Sequence, residues 1–295
     1  MNAVKQLFVS SRPISWVNTA YPFAIAYWLS SWQVDLTLVL GTLFFLIPYN
    51  LLMYGVNDVF DYESDLRNPR KGGIEGALLD PKYHRLTIVS AVALSAPFVA
   101  YLVAVGSLVS SLWLALFLFT VVAYSAKGLR FKERPFLDSL TSASHFVGPM
   151  IFGVSLGGGD LSNPSMLALI AAFTCWGAAS HAFGAVQDVA ADRAASISSI
   201  ATVIGARATT RLSVLLYLAA SILVLVAGGP AAQAVLPGLA YVIVVARFWN
   251  ITDETCERAN RGWRWFIWLN FFAGFVVTLI VIIYALAKSN LGGGA

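Results

Sequence analysis

The sequence predicts an all-α polytopic membrane protein with nine transmembrane helices, and three observations support this prediction. Hydrophobic residues make up 58% of the 295 residues, charged residues make up 12%, and the mean hydropathy is +0.74. Apolar runs of roughly 20 residues, the length that crosses a bilayer as a helix, recur along the whole chain. All but one of the Lys and Arg residues lie in or beside alternate connections between these runs. A soluble globular protein is therefore excluded.

The predicted helices follow one another with short connections. They cover residues 13–31, 36–56, 85–105, 109–126, 138–156, 165–185, 212–228, 231–250 and 263–287. The first helix is too long for the apolar part of a signal peptide. The longest polar segment, residues 57–84, is too short to carry a core of its own. We therefore expect one integral-membrane domain over residues 1–295, with residues 291–295 as a disordered tail.

The basic residues predict the orientation of this domain. Of the 19 Lys and Arg residues, 18 lie in or beside the N-terminus and the connections 57–84, 127–137, 186–211 and 251–262. By the positive-inside rule this face is cytoplasmic, which places the N-terminus inside and the C-terminus outside the plasma membrane. The net charge of +4 then reflects topology and contact with anionic lipid headgroups, and we expect no nucleic-acid partner.

Two acidic clusters stand out in a chain with only 15 carboxylates. If the second predicted helix continues, Asp58, Asp61 and Asp65 lie on one helical face, and Asp188 and Asp192 repeat this spacing one turn apart. Carboxylates stacked at a membrane boundary repel one another and resist desolvation, so they require a cation. Mg²⁺ prefers oxygen ligands and commonly joins carboxylates to phosphates, so these five residues are the predicted metal ligands.

The positions of the two clusters also predict an internal repeat. Each cluster ends the second helix of a set of four, which gives two four-helix halves, 1–4 and 5–8, plus a ninth helix. Two such halves facing each other would bring both clusters to a central cavity near the cytoplasmic surface.

Basic residues close to the clusters favour a diphosphate as the bound anion. Arg67 and Lys71 follow the first cluster, Arg193 follows the second, and Lys127 and Arg130 end the fourth span. Topology alone would also place basic residues on this face. Other chemistries have little support, because His84, His145 and His181 show no paired spacing for zinc or iron. A disulfide between Cys175 and Cys256 is not expected, and phosphate-loop, dinucleotide and nucleophile-elbow motifs are absent from the sequence.

With these residues assembled, the chain resembles the UbiA superfamily of intramembrane prenyltransferases. The resemblance rests on the motif N-D-x-x-D-x-x-x-D at residues 57–65, the motif D-x-x-x-D at residues 188–192, a Tyr-Ser ahead of a basic run, and nine predicted helices. It implies that Asp61, Asp65, Asp188 and Asp192 hold Mg²⁺ against a diphosphate. It also implies that other residues contact the diphosphate or line the site, namely Asn57, Arg67, Lys71, Tyr124, Lys127 and Arg130.

Within this superfamily, residues 55–73 and the following Glu75 to Leu79 look like the lycopene elongase branch. The resemblance implies Mg²⁺-dependent transfer of a dimethylallyl group from its diphosphate to the ends of lycopene, through an allylic carbocation, towards C45 and C50 carotenoids. The sequence departs from some relatives after the second motif, where Arg193 to Ser196 contain no further acid or Lys. Two alternatives stay open. One is another acceptor (a quinone precursor, a chlorophyllide or a glycerol-phosphate lipid), and the other is a secondary transporter that uses its intramembrane acids as cation sites.

Overall fold

The computed structural model describes residues 3–66 and 78–292, apart from the side chains of residues 64, 65 and 290–292. Every regular element in these two ranges is a helix, and neither range contains a strand, which confirms the all-α prediction. The chain divides into two compact units, Met1–Leu161 and Ser162–Ala295. The predicted central cavity stays a prediction.

The described residues of the first unit form seven helices. They are α1 (Ala3–Ser10), α2 (Val17–Ser31), α3 (Leu36–Phe60), α4 (Tyr62–Asp65), α5 (His84–Val105), α6 (Leu108–Ser125) and α7 (Leu137–Leu156). Short 3₁₀ turns precede α2, α5 and α7, at Pro13–Ser15, Pro81–Tyr83 and Phe131–Glu133.

Helix α3 is irregular along its length. The Asp35 carboxylate caps its start by accepting from the Leu38 N–H at 2.8 Å. Pro48 cannot donate a backbone hydrogen bond, so the first α-helical segment ends at Leu46. A π-helical turn follows at Leu51–Gly55, directly before the last α-helical segment, Val56–Phe60. A π-helical turn changes the face of the helix on which the residues after it lie. Such turns are frequently found next to functional sites.

In the second unit, residues 162–292 form six helices. They are α8 (Pro164–Val186), α9 (Val189–Ala194), α10 (Ile200–Ala227), α11 (Val235–Ala246), α12 (Ala259–Trp263) and α13 (Phe266–Gly292). Helix α13 extends through the first two residues of the predicted tail, and residues 293–295 lie outside the described ranges.

Seven helical stretches in the described ranges are long and apolar enough to cross a membrane, so the chain is a multi-span membrane protein. They are Leu36–Phe60, Pro81–Val105, Leu108–Ser125, Pro164–Val186, Ile200–Ala227, Gly229–Ala246 and Phe266–Ser289. Helices also occupy the other two predicted spans. Helix α2 has only 15 residues, about 22 Å at 1.5 Å per residue, which is short for a bilayer core of roughly 30 Å. The count of nine spans therefore stays a prediction.

The two compact units do not coincide with the predicted repeat of helices 1–4 and 5–8, because α7, the fifth predicted span, belongs to the first unit. The repeat itself stays a prediction. Two glycines on α7 explain this placement. A Cβ at Gly153 would lie 2.7 Å from the Phe23 carbonyl oxygen of α2, and a Cβ at Gly148 would lie 2.5 Å from the Phe117 ring of α6. Helices in lipid associate largely through such close packing of small residues, so α7 is held by α2 and α6.

Aromatic side chains form the core that holds these helices together. In the first unit Phe23, Phe45 and Phe152, from α2, α3 and α7, are at most 1% exposed. The Phe23 ring centroid lies 5.0 Å from that of Phe45 and 5.8 Å from that of Phe152. In the second unit the buried rings of Tyr217 and Tyr241 stack at 5.1 Å. Rings packed in this way hold α3, which leads into the first acidic cluster, against α2 and α7, and they hold α10 against α11.

We expect Gly153→Ala to destabilise the protein by about 1–3 kcal/mol, because the new methyl group would force the backbones of α2 and α7 apart. The matched control is Gly274→Ala in α13, where an added Cβ meets nothing within 4 Å and alanine favours the helix. Thermal unfolding in detergent measures both variants. Equal unfolding temperatures for the two variants would contradict the packing role assigned to Gly153.

Candidate functional site

Asp61 lies where α3 ends. The last α-helical segment stops at Phe60, Asp61 has φ −99° and ψ −2°, and a new short helix starts at Tyr62. The prediction of one continuous helical face through Asp58, Asp61 and Asp65 is therefore wrong, because the helix breaks at its middle residue. The Asp65 side chain lies outside the described part of the chain.

The Asp61 carboxylate is surrounded by donors from α3 and from the connection between α6 and α7. Its side chain is 7% exposed, and one oxygen accepts from the Asn57 amide at 2.6 Å. The other oxygen contacts the Lys132 ammonium and lies 3.8 Å from an Arg130 guanidinium nitrogen. The Asn57 amide also donates to the Ser125 hydroxyl at 3.0 Å, which ties α3 to the end of α6. Two cations and an amide thus stabilise a nearly buried negative charge.

The two cations are positioned by the connection between α6 and α7. Gly128 has φ 91° and Arg130 has φ 40°, so the chain reverses direction soon after α6 ends at Ser125. Arg130 also pairs with Glu133 within the following turn. This hydrogen bond lowers the pKa of the Glu133 carboxyl and raises the pKa of Arg130, so both groups stay charged at neutral pH.

Asp58 has a different cation. Its side chain has no exposed surface, and it accepts from an Arg12 guanidinium nitrogen at 3.0 Å. Arg12 lies between α1 and α2 with a left-handed φ of 50°, and its guanidinium lies 4.3 Å from the Tyr54 ring centroid. Residues three positions apart in one motif therefore face two different basic groups, which come from distant parts of the sequence.

The second acidic cluster lies in the second unit. Asp188 precedes α9 and Asp192 lies within it, and the Asp192 N–H donates to the Asp188 carbonyl at 2.8 Å. Both aspartates are partly exposed, and they lie on one helical turn, as predicted. The Arg193 guanidinium binds two groups of the same unit. Its Nη2 donates to the Thr202 carbonyl at 2.8 Å, and its Nη1 donates to the Asp253 carboxylate at 2.5 Å.

The groups at Asp61 fit Mg²⁺ bound together with a phosphate group, because the carboxylate can bind the metal and the two cations can contact the phosphate. No group of three or more His, Cys, Asp or Glu side chains that could hold a metal occurs in the part of the chain that the structure describes. Mg²⁺ in phosphate-transfer sites usually binds one or two carboxylates and completes its coordination shell with phosphate oxygens and water. A cluster of three protein ligands is therefore not required. The carboxylate oxygens of Asp61 are ligands that Mg²⁺ prefers. The neighbouring cations are suited to binding the diphosphate oxygens that the metal does not hold.

The structure brings together Asn57, Asp61 and Arg130 from the predicted set. Among the others, Lys127 is exposed after α6, and the Tyr124 ring packs edge-on to the His145 ring at 5.2 Å. Arg67 and Lys71 lie outside the described residues. The catalytic and binding roles assigned to all these residues stay predictions.

Sequence reasoning missed three side chains at the site. Lys132 lies two positions after Arg130, in the basic run already identified, but only the turn at Phe131–Glu133 shows which of these bases reaches Asp61. Ser125 is uncharged, so the pattern of acidic and basic residues did not identify it. Arg12 lies 46 positions from Asp58, so no local spacing could have joined them.

Comparisons with known proteins agree on one family. The sequence profile described as the UbiA prenyltransferase family matches residues 19–272. The chain is 54% identical to a protein of Corynebacterium glutamicum named Lycopene elongase/hydratase, over 96% of this chain and 98% of that protein. It is 56% identical to the C(50) beta-cyclic carotenoids biosynthesis protein LbtBC of Dietzia sp., over 94% of this chain and 64% of that protein.

Solved structures show the same fold. A UbiA homolog from Archaeoglobus fulgidus, bound to DMAPP and Mg²⁺, has a TM-score of 0.69 and 18% sequence identity over 91% of this chain and 98% of that chain. The apo structure of a UbiA homolog from Aeropyrum pernix K1 has a TM-score of 0.67 and 18% identity over 92% of this chain and 98% of that chain.

We expect Arg12→Met to destabilise the protein by about 3 kcal/mol, because it removes a cation from the fully buried Asp58 carboxylate. The double variant Arg12→Met/Asp58→Asn should recover part of this loss, since it leaves no buried charge at position 58. Thermal unfolding in detergent measures both. Lys82→Met is the matched control, because its ion pair with Asp80 is exposed and should contribute nothing measurable. If the double variant is the least stable of all, the pairing is not the source of the effect.

Proposed function

Because the chain belongs to the UbiA prenyltransferase family, we propose that it transfers a dimethylallyl group from its diphosphate to the ends of lycopene, towards C45 and C50 carotenoids. The chain is a membrane prenyltransferase, and its relatives include proteins named lycopene elongase/hydratase. The observation that carries the finer proposal is 54% identity over nearly the full length of a relative with that name. The geometry at Asp61 supports it, because a carboxylate and two cations suit a metal-bound diphosphate.

We assign the diphosphate end of the donor to the surroundings of Asp61. Lys132 and Arg130 now neutralise the Asp61 carboxylate. A diphosphate at this place would offer the same two side chains more negative charge, so they can turn to its oxygens and stabilise it as it leaves. Asn57, held by Ser125, keeps Asp61 in place during this exchange.

The proposed Mg²⁺ ligands are Asp61 and Asp65 in the first unit and Asp188 and Asp192 in the second. When bound, Mg²⁺ supplies the positive charge that stabilises the departing diphosphate. The sequence predicted Asp58 as a metal ligand as well. Because its carboxylate is fully buried against Arg12, we propose it instead as a positioning residue, which orients the last turn of α3. Arg67, Lys71, Tyr124 and Lys127 are proposed to contact the diphosphate or line its site.

The proposed chemistry is an electrophilic alkylation. The bond between the allylic carbon and the diphosphate oxygen breaks, and the oxygen keeps the electron pair. The terminal double bond of lycopene supplies the electrons for the new carbon–carbon bond, since a hydrocarbon has no hydroxyl proton for a base to remove. The resulting tertiary cation loses a proton or captures water. The name of the Corynebacterium glutamicum relative includes hydratase, which supports water capture here.

The proposed setting is the plasma membrane, with nine spans in one domain and a cytoplasmic N-terminus. Eighteen of the 19 Lys and Arg residues support this orientation by their positions in the sequence. Membership of an enzyme family excludes the transporter alternative, whereas another lipid-soluble acceptor stays open to test.

The first test incubates the purified protein in lipid with lycopene, dimethylallyl diphosphate and Mg²⁺, and analyses the products by mass spectrometry. We expect C45 and C50 products carrying added water, and none when EDTA removes the metal. Diphosphate release with a quinone precursor but not with lycopene would discard the elongase proposal while keeping the family. Products without added water would leave the transfer intact and assign proton loss as the final step.

Variants of the two acidic clusters test the site. We expect Asp61→Asn and Asp188→Asn each to lower turnover at least about 100-fold, because charge stabilisation of the leaving group is lost. Lys132→Met should mainly raise the KM for the donor. Asp80→Asn, at an exposed carboxylate, is the control and should keep normal turnover. Near-normal rates in both Asp61→Asn and Asp188→Asn, with the proteins still in the membrane, would reject these assignments.

A further inference from the structure

Helix α10 is interrupted near its start. Gly205 has φ 81° and ψ 161°, a conformation open essentially only to glycine, and it separates the first turn from the remainder of the helix. In an unbroken helix the Ala206 N–H would donate to the Thr202 carbonyl four residues earlier. The break separates this donor from this acceptor, so each needs another partner.

Two charged side chains supply these partners. The Asp253 carboxylate accepts from the Ala206 N–H at 2.7 Å. Arg193 donates to the Thr202 carbonyl from Nε at 3.0 Å and from Nη2 at 2.8 Å. The two side chains then join each other, with Arg193 Nη1 2.5 Å from the second carboxylate oxygen of Asp253. An ion pair thus stands in place of one helical hydrogen bond.

The residues directly before and directly after the second acidic cluster are both held by the segment that contains Asp253. Arg193 follows Asp192 directly in α9, and α9 packs against α10 and against the 3₁₀ segment Asp253–Arg258. On the other side, Gln187 directly precedes Asp188. Its side-chain oxygen accepts from the Asn260 amide at 2.6 Å. The connection between α11 and α13 therefore holds the residues that flank the cluster at both ends.

We propose that Arg193 and Asp253 are positioning residues, which fix the orientation of Asp188 and Asp192 by bracing α9 against the break in α10. The inference deepens the proposed function, since it concerns how the second set of metal ligands is held. It also gives Arg193 a role other than contact with the diphosphate, because its guanidinium nitrogens are occupied within the unit. The Ala206 N–H, and next the Arg193 guanidinium, lower the pKa of Asp253, so the brace stays charged at neutral pH.

The test compares Arg193→Gln, Asp253→Asn and the double variant with the parent protein in lipid nanodiscs. Amide hydrogen exchange, followed by mass spectrometry, reports the order of residues 187–206 without requiring turnover. We expect faster exchange in both single variants. In the prenyl-transfer assay, we expect each to raise the Mg²⁺ concentration for half-maximal rate about tenfold, as loss of a residue that orients a metal ligand does. The double variant should be no worse than the poorer single variant, because both changes remove one structural unit.

Two variants of neighbouring exposed residues are the matched controls. Arg207→Gln removes a guanidinium beside the break, and Glu257→Gln removes a carboxylate from the same 3₁₀ segment as Asp253. Both should match the parent in hydrogen exchange and in Mg²⁺ dependence. Arg193→Lys keeps the charge but cannot span both partners, so it should rescue only part of the loss.

Two outcomes would overturn the proposal. One is unchanged exchange over residues 187–206 in Arg193→Gln and Asp253→Asn. The other is a raised KM for the donor in Arg193→Gln but not in Asp253→Asn, which would make Arg193 a direct diphosphate contact. If the parent protein transfers no prenyl group at all, the proposed function fails, but the exchange experiment still decides whether the brace exists.

Discussion

The placement of carboxylates at the edge of a membrane constrains the rest of this structure. A carboxylate removed from water requires a cation or several hydrogen-bond donors, and the protein supplies these from remote parts of the chain. Asp58 is paired with Arg12, and Asp61 is paired with Lys132. These ion pairs join the end of α3 to the connection between α1 and α2 and to the connection between α6 and α7. Close packing at Gly153 and the aromatic core hold the helices that carry these segments.

The sequence predicted the features that depend on composition and on local spacing. Apolar runs located helices at all nine expected positions, and the interval from Asp188 to Asp192 correctly predicted one helical turn. Three results depended on backbone geometry, which the residue types do not reveal. The helix breaks at Asp61, the boundary between the units follows α7, and Lys132 rather than Lys127 reaches the first cluster.

The two acidic clusters are supported in different ways. In the first unit, the cations contact the carboxylates of the motif itself, and in the proposed reaction Lys132 and Arg130 would turn from Asp61 to the diphosphate. In the second unit, the Arg193 guanidinium contacts a backbone carbonyl and Asp253, so its charge stabilises the fold. Similar motifs in the sequence therefore have different surroundings, one suited to binding an anion and the other to holding a short helix in place.

The break at Gly205 has an evolutionary consequence. The backbone groups that lose their helical partners at this break bind an arginine 12 positions before Gly205 and an aspartate 48 positions after it. A relative that restored a regular helix here would have no use for either charge, whereas a relative that kept the glycine would need both. Across the family, positions 193, 205 and 253 should therefore be inherited together or replaced together, and their covariation would mark which members share this way of folding.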